Sequence, residues 1–504
     1  MFKKTKVCAG VLVAFGAMAT QAMAQQQQLE RIEVTGSSIK RIASEGALPI
    51  QTLSRADIER SGAKSAEDLI QSLPSMQGFT TSAESVNGGG GGVQNASLHN
   101  IGARYTLVLL NGRRMASYGA GSAVNLASIP LSAVERVEVL SDGASAMYGS
   151  DAVAGVVNFI LRKNQTDFNV SATYSQPQEK GGRSSNFAIS KGFGNLDTDG
   201  FNVLLSYAHD EQKELNAADR KFAKSGIMPF THEGKQYSLY QLAVNTTPAS
   251  VTLGLKNPII KNGEEYSAVT FSPNYLKDNK CAPNTALNTV DLDKACWFDY
   301  AATVQLIPSS KRDSLFLSGN LKLNSDTTLF AEAVSSQFNQ KSRFAPPAQV
   351  IALPLTDPLY AQYVSPYLSA MGVDPANVAK ASTNNRFVDA GGRSNMYKTK
   401  AQHIAVGVEG LLMGFDYNAS FVHSTNTRDS MYDGGYMSRN CYNGLKNAGK
   451  INPFAPAGGN ADLFAPCVLK ELDTRTKTSL DVASVRGSGE LFKAPGGTAM
   501  LGLG

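Results

Sequence analysis

The cysteines are the residues whose type and spacing point most directly to chemistry. Four of the five cysteines lie in the second half of the chain, at Cys281, Cys296, Cys441 and Cys467. In an exported protein an even set predicts disulfides, and four cysteines allow three connectivities. We expect Cys281 to pair with Cys296 and Cys441 with Cys467, because each bond then closes one loop. A metal site is the rival interpretation, but these spacings match no zinc pattern.

Histidines and glycines give little support for catalysis. The five histidines are scattered along the chain, at His99, His209, His232, His403 and His423. Neither a Gly-x-Ser-x-Gly elbow nor a His-Glu-x-x-His pattern occurs. Five consecutive glycines at 88–92 could cradle a phosphate, but no Lys-Ser/Thr follows them, as a P-loop requires. The sequence therefore predicts no enzyme, no metal and no cofactor, and a flexible loop at the glycines.

The first 24 residues have the organisation of a secretory signal peptide. Three lysines precede a 13-residue apolar run at 7–19, and Ala22-Met23-Ala24 supplies small residues for cleavage. Thirteen residues are too few to span a bilayer as a helix, which disfavours the alternative of an uncleaved anchor. We expect the mature, exported chain to begin at residue 25.

The composition of the mature chain excludes several classes. Removing the three signal lysines from the 47 basic residues leaves 44, against 42 acidic residues. That near-balance argues against a nucleic-acid-binding protein. No apolar run of 18 residues follows the signal, which argues against membrane-spanning helices. A high glycine content, 46 residues, and recurring short alternating segments are instead typical of a β-barrel.

The segment 131–163, LSAVERVEVLSDGASAMYGSDAVAGVVNFILRK, is the most specific motif of the chain. With LVLLNGR at 107–113, it resembles the end of the plug domain of TonB-dependent outer-membrane receptors. The resemblance implies an α+β plug inside an all-β antiparallel transmembrane barrel, which has 22 strands in this family. The plug would occupy 45–164, with two loops at about 80–96 and 115–124 that either touch ligand or are only mobile surface loops.

Caps and turns predict the remaining plug elements. They are a strand at 49–54, helices at 55–61 and after Ser65, strands at 97–101 and 106–110, and an Asn111-Gly112 turn. Asn-Gly favours a hairpin because both residues tolerate positive φ. The segment 131–163 adds a short helix and strands at 136–140 and 156–161.

A short extended segment precedes the plug, within a flexible stretch at 25–44. It consists of Arg31 followed by Ile32, Glu33, Val34, Thr35 and Gly36. Alternating β-branched residues favour a strand. By its position the segment resembles the TonB box. The resemblance implies pairing with a TonB-type periplasmic energy-coupling protein by β-augmentation.

Two positions depart from the family pattern. His99 and Ser141 stand where a basic residue often follows the motif leucine and the Val-Leu pair. Because such plug charges can pair with barrel carboxylates, these substitutions put that latch in doubt. We predict that Arg104, Arg136 and Glu138 supply plug–barrel contacts instead.

Residues 165–504 are predicted to form barrel strands. Nine alternating runs lie at about 168–174, 186–193, 201–207, 314–323, 328–337, 402–411, 414–423, 479–493 and 498–504. Short and long connections alternate between them, as periplasmic turns and extracellular loops do. Both expected disulfides fall in long connections, where they would stabilise an external binding surface.

Nine strands are fewer than the family's 22, and an open sheet in lipid exposes unpaired backbone at both edges. We therefore expect the sequence to be a C-terminally incomplete receptor. The complete protein is expected in the outer membrane, in contact with its lipid and an extracellular ligand. It would actively import a scarce or bulky nutrient such as a siderophore, cobalamin, carbohydrate or peptide. A passive or signalling receptor and a non-functional truncated remnant remain alternatives.

Overall fold

A small mixed sheet with short helices forms the first part of the chain. The computed structural model describes residues 35, 50–87, 90–261, 263–288, 294–495 and 497–504. The first elements are β1 (Ile50–Ser54), α1 (Arg55–Ser61), α2 (Ala66–Gln71), β2 (Thr106–Leu110), β3 (Arg113–Arg114), β4 (Val134–Leu140), α3 (Ser145–Tyr148) and β5 (Gly155–Leu161). They form a five-stranded sheet in the order β1-β4-β5-β2-β3, with β2 parallel to β5. We call residues 50–164 the plug.

The predicted bounds of α1 and the predicted start of α2 after Ser65 are confirmed, whereas α2 ends at Gln71, before Pro74. Ser54 caps α1 in a reciprocal capping box with Asp57, and Gly62 ends the helix at φ 67°. The Ser65 hydroxyl accepts a hydrogen bond from the Asp68 amide at 3.1 Å, which begins α2. The Asn111-Gly112 turn also forms between β2 and β3, with φ values of 50° and 73°. Local capping and turn chemistry therefore fixes these elements.

The strand predicted at 97–101 is wrong. Leu98 makes one isolated bridge with Met76, and the chain then leaves the extended conformation. His99 and Asn100 have φ values of 55° and 58°, in the left-handed region. Ser97 and Leu98 are buried, whereas the next three residues are exposed, so the segment turns away from the plug core after Leu98.

Two close contacts explain why particular residues are needed in the segment 131–163. The Arg114 guanidinium donates to Asp151 Oδ1 at 2.8 Å, and this hydrogen bond lowers the pKa of the Asp151 carboxyl. Gly155 begins β5 at φ 131°, where a Cβ atom would lie 2.2 Å from the Leu140 carbonyl oxygen. Glycine is therefore required at the point where β5 approaches β4.

The remaining strands and helices follow the plug. They are β6 (Phe168–Ser175), β7 (Ser184–Phe193), β8 (Phe201–Gln212), β9 (Leu215–Asn216), β10 (Ile227–His232), β11 (Lys235–Tyr240), β12 (Ser250–Lys261), β13 (Glu264–Phe271), α4 (Pro273–Asp278), β14 (Thr285–Leu287), β15 (Cys296–Phe298), β16 (Gln305–Ile307), β17 (Ser309–Asn324), β18 (Thr327–Arg343), β19 (Ala348–Leu353), α5 (Pro358–Tyr363), β20 (Val378–Arg386), β21 (Ser394–Leu412), β22 (Phe415–Gly434), α6 (Arg439–Asn447), α7 (Ala461–Phe464), β23 (Leu472–Ala494) and β24 (Gly497–Leu503). In the described part of the chain, no helix is long and apolar enough to cross a membrane.

A nine-stranded antiparallel sheet confirms the predicted barrel portion. Its order, β6-β7-β8-β17-β18-β21-β22-β23-β24, follows the chain, and β6 and β24 stand at its two edges in the described residues. We call it the barrel sheet. Several strands continue well beyond the predicted runs, and β23 has 23 residues. Because the strands alternate in direction, the long connections share one end of the sheet and the short ones the other.

The two faces of the barrel sheet have opposite chemistry. In β8, residues Phe201, Val203, Leu205 and Tyr207 are exposed, while Asn202, Leu204, Ser206 and Ala208 are buried. The inward positions of β17 also include polar residues, among them Arg312, Ser314 and Asn320. An apolar exposed face with a polar inner face is the pattern of a membrane barrel strand.

The core of the plug continues into the barrel sheet. Leu98, Val137 and Phe159 belong to the main hydrophobic cluster, which also contains Leu204 and Phe316 from the barrel sheet. The plug is thus packed against the inner face of the sheet by apolar contacts as well as polar ones.

The three long connections pack into one body, which we call the loop domain (213–308, 344–393 and 435–471). Strands β13-β12-β20-β19 form its sheet, and Val251, Phe271 and Val364 lie in its core. The Phe454 ring stacks on Tyr363 at 4.6 Å, which joins the third connection to the second. Sequence analysis predicted only loops here.

Two disulfides stabilise the loop domain. They join Cys281 to Cys296, with a Cα separation of 5.7 Å, and Cys441 to Cys467, with 5.4 Å. We expect mass spectrometry of the non-reduced protein digested between the cysteines to show these two linked peptide pairs. Linked peptides that join Cys281 or Cys296 to Cys441 or Cys467 would contradict this connectivity.

Candidate functional site

Thr35 is bound to the plug sheet. Its backbone N–H and its hydroxyl donate to Glu138 Oε2 at 3.1 and 2.5 Å, and its hydroxyl accepts from Asn158 Nδ2 at 2.9 Å. Thr35 is only 4% exposed. We call this arrangement the Thr35 seat. The other members of the predicted segment, Ile32, Glu33, Val34 and Gly36, lie outside the described residues.

The register of the plug sheet builds the seat. Glu138 in β4 and Asn158 in β5 are direct cross-strand partners, so their side chains project from the same face. The neighbouring Val137, Val157 and Phe159 point to the opposite face and enter the main plug cluster. The alternation of β4 and β5 thus separates an apolar face from a polar pair that can receive a hydroxyl.

Both oxygens of the buried Glu138 carboxylate are engaged. Arg136 Nε donates to Oε1 at 2.8 Å, while Thr35 occupies Oε2. Hydrogen bonds of this kind offset the cost of burying a carboxylate, which is 2% exposed here. If Thr35 leaves, the buried Glu138 carboxylate loses hydrogen bonds and is left partly unsatisfied. Removal of Thr35 from the seat therefore destabilises the plug.

We predicted that Arg104, Arg136 and Glu138 contact the barrel. In the structure, the contacts described for these residues lie within the plug and with Thr35. Arg136 and Glu138 pair with each other and with Thr35, because residue 138 faces the N-terminal segment. Arg104 lies exposed in a 3-10 turn, where its carbonyl accepts from the Ser122 hydroxyl. These three residues therefore hold plug segments together.

A different set of residues joins plug and barrel sheet. Glu332 of β18 accepts from Asn111 Nδ2 at 2.8 Å and from Arg113 Nη1 at 3.4 Å. The Arg113 guanidinium also lies 4.3 Å from the ring centre of Phe330. With side-chain exposures of 10% and 4%, Arg113 and Glu332 form a buried ion pair. We call these contacts the plug latch.

Sequence reasoning missed the plug latch, although a signal for it exists. Glu332 is a charge at an inward position of an alternating strand, between the buried Phe330 and Val334. A charge there requires a partner from whatever fills the barrel. Asn111 and Arg113 belong to the LVLLNGR motif, which supported the family resemblance and predicted the Asn111-Gly112 turn but was not assigned a contact with the barrel.

The two departures from the family pattern lie against each other. His99 Nε2 donates to the Ser141 carbonyl at 3.0 Å. Both residues belong to the plug, so this contact connects two plug turns. The latch to the barrel sheet is made elsewhere, at Glu332.

The loops predicted at 80–96 and 115–124 contact the barrel sheet. The Ala116 amide donates to Ser424 Oγ at 2.9 Å. A Cβ atom on Gly92 would lie 2.4 Å from Tyr397 Cβ, so the glycine run allows close approach to β21. Thr80 and Asn95 close the first loop with a 3.1 Å backbone hydrogen bond. Gly88 and Gly89 lie outside the described residues.

A polar cavity of about 300 Å³ lies between α2 and the barrel sheet. Glu67, which is 5% exposed, lines it together with Lys64 and Arg312. Burial raises the pKa of Glu67 from 4.5 to about 7, although hydrogen bonds from Ser82 oppose the shift. Arg312 pairs with Asp210 at 2.5 Å.

The raised pKa makes plug stability depend on pH. Between pH 4.5 and about 7 the folded state holds more protons than the unfolded state, so the free energy of unfolding falls as pH rises. We expect Glu67→Gln to remove this dependence and to stabilise the plug at pH 8 by up to about 3 kcal/mol. Thermal unfolding at pH 5 and pH 8 measures it. The exposed Glu59→Gln is the matched control, and an equal effect of both substitutions would contradict the assignment.

Groups of three or more His, Cys, Asp or Glu side chains with metal-binding geometry do not occur in the described residues. The contacts of the Thr35 seat and the plug latch are hydrogen bonds and an ion pair that bind segments of the chain to one another. Such contacts can hold a segment of the chain in place, release it, and transmit its release to a neighbouring segment.

Comparison with known proteins identifies the first domain. Residues 43–156 match the family model described as the TonB-dependent Receptor Plug Domain. A mutant of the ferric enterobactin receptor of Pseudomonas aeruginosa is 14% identical, with 94% of this chain and 50% of that chain covered and a TM-score of 0.48. The siderophore receptor PirA of Acinetobacter baumannii is 14% identical, with coverages of 88% and 46% and a TM-score of 0.46. The chain spans about half the length of these structures.

Proposed function

With residues 43–156 carrying the plug domain of TonB-dependent receptors, we propose that the protein serves energy-coupled uptake across the outer membrane. Its cargo would be a scarce or bulky nutrient, such as a siderophore, cobalamin, carbohydrate or peptide. The observation that carries the proposal is the Thr35 seat. Thr35, which precedes the plug, is bound there by three hydrogen bonds, for which a partner can compete.

The proposed partner is a TonB-type periplasmic protein that pairs with residues 31–36. Main-chain hydrogen bonds to an edge strand would give affinity, and Ile32 and Val34 would give specificity. Pairing requires the segment to leave the plug, so Thr35 must give up its bonds to Glu138 and Asn158.

The proposed ligand side is the end of the barrel sheet at which the three long connections lie. The three long connections meet there in the loop domain, which has its own core and two disulfides. Loops on a rigid scaffold commonly carry binding residues. The exposed apolar face of the barrel sheet would contact outer-membrane lipid.

In the proposed mechanism the plug is a two-state gate. Ligand binding and the pull of the partner both favour the displaced plug, each through its differential affinity for the two states. No bond of the cargo is made or broken. The residues that hold the resting state are Thr35 with its seat and Asn111 and Arg113 with Glu332.

Collapse of the proton gradient tests the proposal. Cells that carry the receptor are given labelled ligand with and without a proton uncoupler, and bound and internalised label are separated by washing. Energy coupling predicts that internalised label stops accumulating while surface binding stays the same. Continued accumulation with the uncoupler would overturn the proposal in favour of passive entry.

A further inference from the structure

Asn158 connects the Thr35 seat to the plug latch. Its Nδ2 donates to Thr35 Oγ1 at 2.9 Å, and its Oδ1 accepts from the Gly112 amide at 2.9 Å. Gly112 lies between Asn111 and Arg113, the two residues that bind Glu332 of the barrel sheet. Two hydrogen bonds of Asn158 and the backbone of the 111–113 turn therefore connect Thr35 to the residues that bind the barrel sheet.

We propose that Asn158 is a positioning residue that transmits release of Thr35 to the plug latch. The proposal rests on the proposed function in one respect, since the partner would be what withdraws Thr35. Withdrawal then weakens the hold of the plug on the barrel sheet before the plug itself is deformed.

Burial of the connecting groups makes the transmission effective. Asn158 is 4% exposed and Glu138 is 2% exposed, so water does not readily replace the hydroxyl of Thr35. A buried polar group without a partner is unfavourable, and the Asn158 amide can rotate toward its cross-strand neighbour Glu138 to regain one. That rotation moves Oδ1 away from the Gly112 amide.

The Asn111-Gly112 turn, which Asn158 contacts, is held in place by hydrogen bonds to β5. Asn111 adopts φ 50°, which asparagine tolerates, and neighbouring hydrogen bonds fix the position of the turn. Its amide donates to the Phe159 carbonyl and its Oδ1 accepts from the Leu161 amide at 2.7 Å. Loss of the Gly112 bond removes the third support and displaces the side chains that reach Glu332.

Hydrogen exchange of the whole purified protein tests the coupling without ligand or partner. Thr35→Val removes the hydroxyl at nearly constant shape. We expect exchange in peptides covering 110–114 to rise at least about fivefold, the lower end of typical couplings between linked sites. Thr35→Ser keeps the hydroxyl and should leave exchange unchanged. Thr52→Val is the matched control, because Thr52 lies beside Glu138 on β1.

The reverse direction must also hold, because coupling free energies are reciprocal. Glu332→Gln should raise exchange in the peptide containing Thr35, and this effect should vanish when Asn158→Ala is added. Changes confined to the mutated site, or equal effects with and without Asn158, would overturn the proposal. Because no transport is measured, this result is independent of the uncoupler test.

Discussion

Val34→Pro is expected to abolish uptake while ligand binding stays at the wild-type level. Proline has no N–H, so it removes a donor from the strand that residues 31–36 are proposed to form with the partner. We expect binding to be unaffected because the proposed ligand side is the loop domain, which does not include residues 31–36. Initial rates of labelled-ligand uptake and equilibrium binding to whole cells measure the two effects separately.

Val34→Ile is the matched control for this substitution. It keeps the β-branched side chain and the N–H, and it should retain uptake. Uptake at the wild-type rate in Val34→Pro would show that energy coupling does not use this segment, whatever the result of the uncoupler experiment.

Glu332→Ala is expected to destabilise the seated plug by about 3–5 kcal/mol, the usual effect of leaving one charge of a buried pair without its partner. Arg113, 10% exposed, would remain buried beside Phe330 without a carboxylate. Denaturant unfolding, followed by the protease sensitivity of the plug, measures the change.

An exposed ion pair of the same sheet provides the comparison. Arg475 pairs with Asp429 at 2.6 Å, but the arginine side chain is 61% exposed. Asp429→Ala should therefore change stability by less than about 1 kcal/mol. If the two alanine variants were equally stable, Glu332 would not anchor the plug.

Local signals account for most of what sequence analysis predicted correctly. The caps of α1 and α2 and the Asn111-Gly112 turn depend on neighbouring residues only. The nine barrel strands are detectable because lipid and plug impose opposite demands on alternate residues. In β8 these demands place Phe201 outside and Asn202 inside.

Long-range pairing explains what sequence analysis missed. Strand β12 pairs with β20, so that Val251 lies opposite Thr383, more than a hundred residues away. Val251, Leu253 and Leu255 alternate in β12, but they pack into the small separate core of the loop domain, and β20 lacks this alternation. Likewise Glu138 gives no local sign of whether it faces the barrel or Thr35, since the answer depends on where residue 35 docks.

The candidate site was predictable in part for the same reason. The position of Thr35 between the predicted signal peptide and the plug indicated the segment, and the family pattern indicated that a latch should exist. The partners Asn158 and Glu332 follow from the register of β5 and from the inward face of β18. Those facts require the three-dimensional arrangement.

Site-directed cross-linking tests the central claim most directly. A cysteine at Val34 is the probe and one at Gln27, outside the segment, is its control, each combined with a cysteine in the edge strand of the TonB-type partner. Formation of the disulfide is followed in membranes with and without ligand. The account predicts cross-linking at Val34 that increases with ligand and little at Gln27. Equal cross-linking at both positions, or none at Val34 with ligand bound, would contradict it.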